Sequence, residues 1–203
     1  MNILITGANG QLGNEMRVLS TENAAHTYFF TDVQELDICN EEAVMAYVTD
    51  HKIDLIVNCA AYTAVDQAED HSDLCNKLNN VAPGYLARAA QSRGAAIIQV
   101  STDYVFDGTA HVPYTEEEVT CPNSVYGVTK LAGEQNVMEH CEKAVVIRTA
   151  WLYSIYGNNF VKTMIRLGRE REALGVIFDQ IGTPTYAHDL ARAIYAIIRN
   201  GIV

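Results

Sequence analysis

The sequence predicts an α/β protein built on one doubly wound parallel sheet, with part of a small C-terminal subdomain. Two observations carry this prediction. Apolar, β-branched runs alternate with segments of helical spacing over most of the 203 residues. The candidate functional motifs fall just beyond the carboxyl ends of the predicted strands, in four separate places, where open α/β sheets bind their ligands.

Taken in order, "NILIT" (2–6) is a buried strand bounded by glycines, and "GQLGNEMRVLS" (10–20) follows with helical spacing at Leu12, Met16 and Leu19. "TYFFTD" (27–32) is a second strand. "NEEAVMAYVTDH" (40–51) opens on an Asn cap and an acidic first turn, which predicts a helix. "DLIVNCAAY" (54–62) is a third strand, and 73–94 is helical with an interruption at Pro83. "AAIIQVST" (95–102) is a fourth strand, 125–141 a long helix and "AVVIRTAWLY" (144–153) a fifth strand. A helix over 157–172, a sixth strand at "GVIFD" (175–179) and a final helix over 186–201 complete the chain.

Composition narrows the function classes. The chain is 49% hydrophobic and 19% charged, as ordinary globular domains are. A formal charge of −11 argues against nucleic acid as a partner, because phosphate backbones select basic surfaces. The five cysteines are scattered and form no Cys-x-x-Cys pair, which predicts reduced thiols, no metal site and a cytoplasmic protein. The first ten residues lack the basic start of a secretory signal, and no run suits a membrane span.

Between the first strand and helix, "TGANGQLG" sets Gly7, Gly10 and Gly13 at Gly-x-x-Gly-x-x-Gly spacing. Gly7 suits a tight turn, Gly10 a close backbone approach to a pyrophosphate, and Gly13 close packing of helix on strand. The helix N-terminus then offers free N–H groups to phosphates. The spacing resembles that of extended short-chain dehydrogenases/reductases. Asp32 closes the second strand, where a carboxylate accepts hydrogen bonds from an adenosine ribose diol and repels a 2′-phosphate. No basic residue follows it closely, so the sequence favours NADH or tolerance of both NADH and NADPH.

"YGVTK" (126–130) places Tyr126 and Lys130 one helical turn apart on one face. Roughly one such chain in four carries Tyr-x-x-x-Lys by chance, so the motif depends on its context. An ammonium beside a phenol is expected to lower the phenol's pKa and ready it for proton exchange. Ser101 and Thr102 supply hydroxyls at the end of the neighbouring strand. Thr102 is preferred to polarise a substrate carbonyl, since the pleat turns only one of the two toward the cofactor.

Together, "TGANGQLG", "DLIVNCAAYTAVDQAE", "STDYVFDG", "NSVYGVTKLAGE", "RTAWLYSIYGNNFVKTM" and "DQIGTPT" resemble the dTDP-4-dehydrorhamnose reductases over residues 1 to about 200. The resemblance implies an NAD(P)-binding Rossmann domain over 1–155 and a partial substrate region, interleaved with it, over 156–203. It places Gly10, Gln11 and Leu12 on the pyrophosphate, Asp32, Asp37 and Ile38 on the adenosine, and Ala61, Tyr62 and Thr63 beside the nicotinamide. Thr102, Asp103 and Trp151 would meet the sugar nucleotide, dTDP-4-dehydro-L-rhamnose. Tyr126 would protonate the reduced carbonyl, with Lys130 supporting it. A homodimer is implied, as is a magnesium ion at a subunit interface with Glu15 contributing, although Glu15 reads first as a surface acid. His188 reads as a surface or capping residue.

Members of this family continue well beyond residue 203, so the chain is expected to be a shortened form. Two alternatives share its motifs. A regulatory subunit like the β subunit of methionine adenosyltransferase has the glycine turn, "DYVFDG" and Tyr-Gly-x-Thr-Lys, but "RTAWLYSIYGNN" favours the reductases. A sugar dehydratase or epimerase of the same branch is the other. "STD" lacks the Asp-Glu pair that a dehydratase needs there.

Overall fold

In β1 (Asn2–Thr6), Leu4 faces one layer of helices while Ile3 and Ile5 face the other, and all three are fully buried. That alternation is the pleat of a strand covered on both sides. The computed structural model describes residues 1–201. β1 pairs in parallel with β2 (Thr27–Thr31) on one side and β3 (Leu55–Asn58) on the other. β4 (Ala96–Thr102) and β5 (Ala144–Thr149) extend the sheet, giving the order β2-β1-β3-β4-β5. The order reverses between β1 and β3, and a ligand crevice opens at such a reversal. The α/β doubly wound prediction holds.

Two apolar layers hold the helices. On one face Leu4, Ile56 and Ile97 meet Val44 and Val48 of α2 (Glu41–Asp50) and Leu86, Ala87 and Ala90 of α5 (Ala82–Arg93). On the other, Ile3, Ile5, Val57 and Ile98 meet Leu12, Met16 and Leu19 of α1 (Gln11–Ser20) and Ile194, Tyr195 and Ile198 of α8 (Ala187–Asn200). The last helix therefore returns to the sheet, beside the first. As the sequence anticipates, Asn40 caps α2, its side chain accepting from the Ala43 N–H.

β3 ends earlier than the apolar run suggests. Thr6 Oγ1 donates to Asn58 Oδ1 at 2.6 Å, and Asn58 Nδ2 donates to Gln99 Oε1 at 2.7 Å, so three buried side chains tie β1, β3 and β4 together. Past this ladder the chain leaves the sheet as a loop. Short α3 (Val65–Ala68) and α4 (Ser72–Asn76) follow, then a π turn over Lys77–Val81 and α5. The irregularity expected at Pro83 thus lies just before it. Pro83 lies in the first turn of α5, directly after the π turn that interrupts the regular ladder of the helix.

Three expectations are corrected. The run 144–153 is not one strand: β5 stops at Thr149, Trp151 takes φ +50°, and β6 (Leu152–Tyr153) joins a separate two-stranded sheet with β7 (Thr185–Tyr186). The predicted strand at 175–179 does not form. Residues 171–184 are irregular, and Ile177 and Phe178 are 69% and 96% exposed. An apolar run needs a neighbouring strand edge to pair with, and among the described residues this one has none. The helix predicted over 157–172 is the shorter α7 (Phe160–Glu170), and none of its residues is buried.

Candidate active site

The remaining long helix, α6 (Val125–His140), starts where its sequence says it should. Ser124 caps it, its hydroxyl accepting from the Gly127 N–H at 3.1 Å. This start places Tyr126 and Lys130 at the buried end of α6, facing the carboxyl end of β4. Tyr126 is 8% exposed and Lys130 is 4% exposed. Lys130 Nζ donates to the Val100 carbonyl of β4 at 2.6 Å.

Both groups border a cleft of about 1100 Å³ that crosses the carboxyl ends of the strands. At one end lie Gly7, Gly10, Gln11 and Leu12 of the glycine turn, with Asp32, Asp37 and Ile38; Ala61 and Thr63 follow, then Thr102, Asp103, Tyr126, Lys130 and Trp151. Gly7 has φ +62°, and a Cβ there would lie 2.7 Å from Ala60, so glycine alone fits. Gly13 does not line the cleft; a Cβ there would lie 2.5 Å from Ala8, which makes it a packing residue between α1 and the turn. Gly10 caps α1 without a side chain, leaving the helix N-terminus open to the cleft.

One member of the expected set points elsewhere. Tyr62 does not border the cleft: its hydroxyl lies 3.1 Å from His71 Nδ1, and its backbone N–H and C=O are both held by the Asn79 side chain. Asn79 sits in the π turn, which turns its amide toward this loop. Gln11 is also engaged, its amide donating to the Leu152 carbonyl and accepting from Asn159 Nδ2.

The electrostatics differ from expectation. Burial pushes the Tyr126 phenol up to about 12, and the Thr102 hydroxyl only partly opposes this. Burial pulls Lys130 itself down to about 8, against the opposing pull of Glu134. Burial also raises the Asp103 carboxyl. Thr102 Oγ1 donates to Asp103 Oδ1 at 3.0 Å and accepts from the Tyr104 N–H.

Several cleft residues escape sequence reasoning. Cys59 and Leu36 line the cleft with the glycine turn, and Thr149, Phe160 and Gln180 line it too. The Thr149 and Ser101 hydroxyls are buried without a protein partner in that lining. The position of Thr149 at the close of β5 is the one signal that could have found it. Trp151 owes its place to its left-handed backbone, rare outside glycine, and packs edge-on against Phe160 at 5.3 Å.

Glu15 is 3% exposed and not a surface acid. Its Oε1 accepts from Ser154 Oγ at 2.6 Å, and His188 Nδ1 lies 3.1 Å from its Oε2. His188 is therefore its partner and not a free surface residue. Both Glu15 oxygens are thus engaged by groups of this chain.

A doubly wound sheet, a glycine turn opening a helix at the switch point and a Tyr-x-x-x-Lys pair in one cleft define an extended short-chain dehydrogenase/reductase fold. The family model for the RmlD substrate binding domain matches residues 1–203. The chain belongs to this family, that of the dTDP-4-dehydrorhamnose reductases. It is 43% identical to the dTDP-4-dehydrorhamnose reductase of Aggregatibacter actinomycetemcomitans over 99% of this chain and 68% of that protein. It is 45% identical to that of Escherichia coli K12 over 94% of this chain and 64% of the relative. A dTDP-4-dehydrorhamnose reductase structure from Clostridium acetobutylicum superposes with TM-score 0.94 at 51% identity, covering 98% of this chain and 71% of that one. One from Bacillus anthracis, in complex with NADP, gives 0.94 at 44% identity, covering 98% and 70%. The chain thus spans about two thirds of the length of the curated relatives it matches.

Proposed function

We propose that this chain carries the dinucleotide site and proton-delivery residues of a dTDP-4-dehydrorhamnose reductase, which reduces the C4 ketone of dTDP-4-dehydro-L-rhamnose to dTDP-L-rhamnose. One observation carries the reading: the glycine turn, Asp32, Tyr126, Lys130 and Thr102 border a single cleft. Reduced NADH or NADPH, when bound, supplies the hydride.

The chain's own residues do the rest. Gln11 and Leu12 offer backbone N–H groups to the pyrophosphate beside Gly10, whose own N–H is held by the Gly7 carbonyl at 3.0 Å and whose missing side chain leaves room, and Asp32 accepts from the adenosine ribose. Lys130 turns its ammonium from Val100 to the second ribose. Thr102 polarises the ketone by turning its hydroxyl from Asp103 to the substrate oxygen. Tyr126, a phenol that burial makes a still weaker acid, keeps its proton until an alkoxide develops. An alkoxide is far more basic than a phenolate, so the transfer runs downhill. Trp151 and Asp103 border the sugar-nucleotide side.

Residues 1–155 form the Rossmann domain in this reading, and 156–203 begin the substrate region, with α8 packed back on the face of the sheet. Among the described residues no helix is long and apolar enough to cross a membrane. A cytoplasmic homodimer completes the proposal. The test follows NADH and NADPH oxidation with dTDP-4-dehydro-L-rhamnose, using this chain and one extended to the length of its relatives. Turnover by the longer form supports the reading. Dinucleotide binding without turnover by either form would return the regulatory-subunit alternative.

A further inference from the structure

Lys130 is a buried lysine, and a partly buried ion pair lies one helical turn behind it. Glu134, one helical turn further along α6, is 5% exposed. Its carboxylate is gripped by Arg148 of β5 through three contacts: Nη2 to Oε2 at 2.6 Å, Nε to Oε1 at 3.0 Å and Nε to Oε2 at 3.3 Å. Arg148 also lies 5.0 Å from the Phe106 ring centroid, with its charge over the ring face. Residue 148 pairs with Ser101 in the β4–β5 register, so the Arg148–Glu134 pair bridges α6 to the strand edge that borders the cleft.

We propose that Glu134 and Arg148 act as an electrostatic relay setting the charge on Lys130: Glu134 holds the lysine protonated, and Arg148 limits how strongly it does so. The relay rests on the reading of Lys130 as a cofactor-holding residue only for its consequence, not for its existence. The other groups facing Lys130 are few. Cys59 lies beyond β3, where burial holds its thiol neutral, and Cys75 on α4 shares its sulfur with Thr129 Oγ1 at 3.2 Å. Tyr126, a turn earlier on α6, is neutral. The Val100 carbonyl of β4 accepts from Nζ. Glu134 is thus the carboxylate that opposes desolvation of the ammonium. Arg148 lies within the same network, so removing either partner moves the lysine in opposite directions. A scaffolding pair that merely fastens α6 to the sheet would not produce that sign difference.

The experiment reads Lys130 directly, by its ¹³Cε NMR shift against pH in lysine-labelled protein with the five lysines of the chain, assigned through Lys130→Arg. Lys130 should titrate below the other four. Glu134→Gln, which keeps an amide for Arg148 to hold, should lower the midpoint by about 1 pH unit, and Arg148→Gln should raise it by about the same. Arg148→Lys, which keeps the charge but not the fork, should leave it near the parent value. General loosening of the fold would raise the midpoint in all three variants. A Glu134→Gln midpoint that is unchanged or raised overturns the relay. If Glu134→Gln does not fold, the Arg148 pair decides: a rise with Gln but not with Lys supports the relay, and equal midpoints overturn it. NADPH affinity against pH for the same variants then tests the cofactor reading separately. If the lysine midpoints move and affinity does not follow, the relay stands and the role given to Lys130 falls.

Discussion

The cofactor end of the cleft and its far end are built to different standards. At the first, the glycine turn, Asp32 and α6 stand on a sheet whose central residues Ile3, Leu4, Ile5, Val57 and Ile98 are fully buried, and its polar groups are tied by short side-chain bonds. At the second, α7 buries nothing, 171–184 is irregular, and Ile155, Phe160, Val176, Ile177, Phe178 and Ile181 all lie substantially in the open. On the proposed reading, the difference teaches that the dinucleotide end rests on a buried sheet, whereas the sugar-nucleotide end rests on apolar residues that are exposed in the described chain. Loss of function at the two ends should therefore divide cleanly between turnover, stability and substrate affinity.

The largest effect is expected from Tyr126→Phe in the form that turns over. Stopped-flow rates should fall about 10²- to 10⁴-fold while NADPH affinity is kept, because the phenol donates a proton and carries little binding. Unchanged turnover would take Tyr126 out of the mechanism. Next comes stability. Ile98→Ala, in the buried layer beneath α1 and α8, should cost about 2–5 kcal/mol in urea unfolding. Phe178→Ser, 96% exposed, should stay within about 0.5 kcal/mol. Equal losses would mean that the two regions fold as one unit and would break the comparison.

Smaller effects sharpen it. Trp151→Ala should raise KM for the sugar nucleotide about tenfold, the worth of one aromatic contact, and leave NADPH affinity alone. NADPH affinity should fall as pH rises through about 8. The sign follows from binding that favours the ammonium: below the midpoint the charge is present to hold the ribose, and above it the charge is lost. Asp32→Ala should shift the ratio of NADH to NADPH affinity a few-fold toward NADPH. A constant ratio would remove Asp32 from the ribose.

What the sequence disclosed follows the same division. The five sheet strands, the capped helices, the glycine turn and the Tyr126–Lys130 spacing are local patterns, and each could be read from a handful of adjacent residues. The pairing of β6 with β7 joins two-residue strands more than thirty positions apart, too short for periodicity to register. The run 175–179 has a strand's composition but no edge to pair with, so composition misled. Glu15 lies 173 positions from His188, and no spacing predicts that contact. The raised Tyr126 pKa could not be read because the motif shows that an ammonium is near but not how deeply the phenol is buried.

The most direct measurement is a crystal structure of this chain soaked with NADPH. The account predicts the pyrophosphate over the N-terminus of α1, the adenosine beside Asp32 and the nicotinamide ring against Tyr126 and Lys130. A dinucleotide bound in the reverse direction, or a nicotinamide ring out of reach of the Tyr126 hydroxyl, would contradict it.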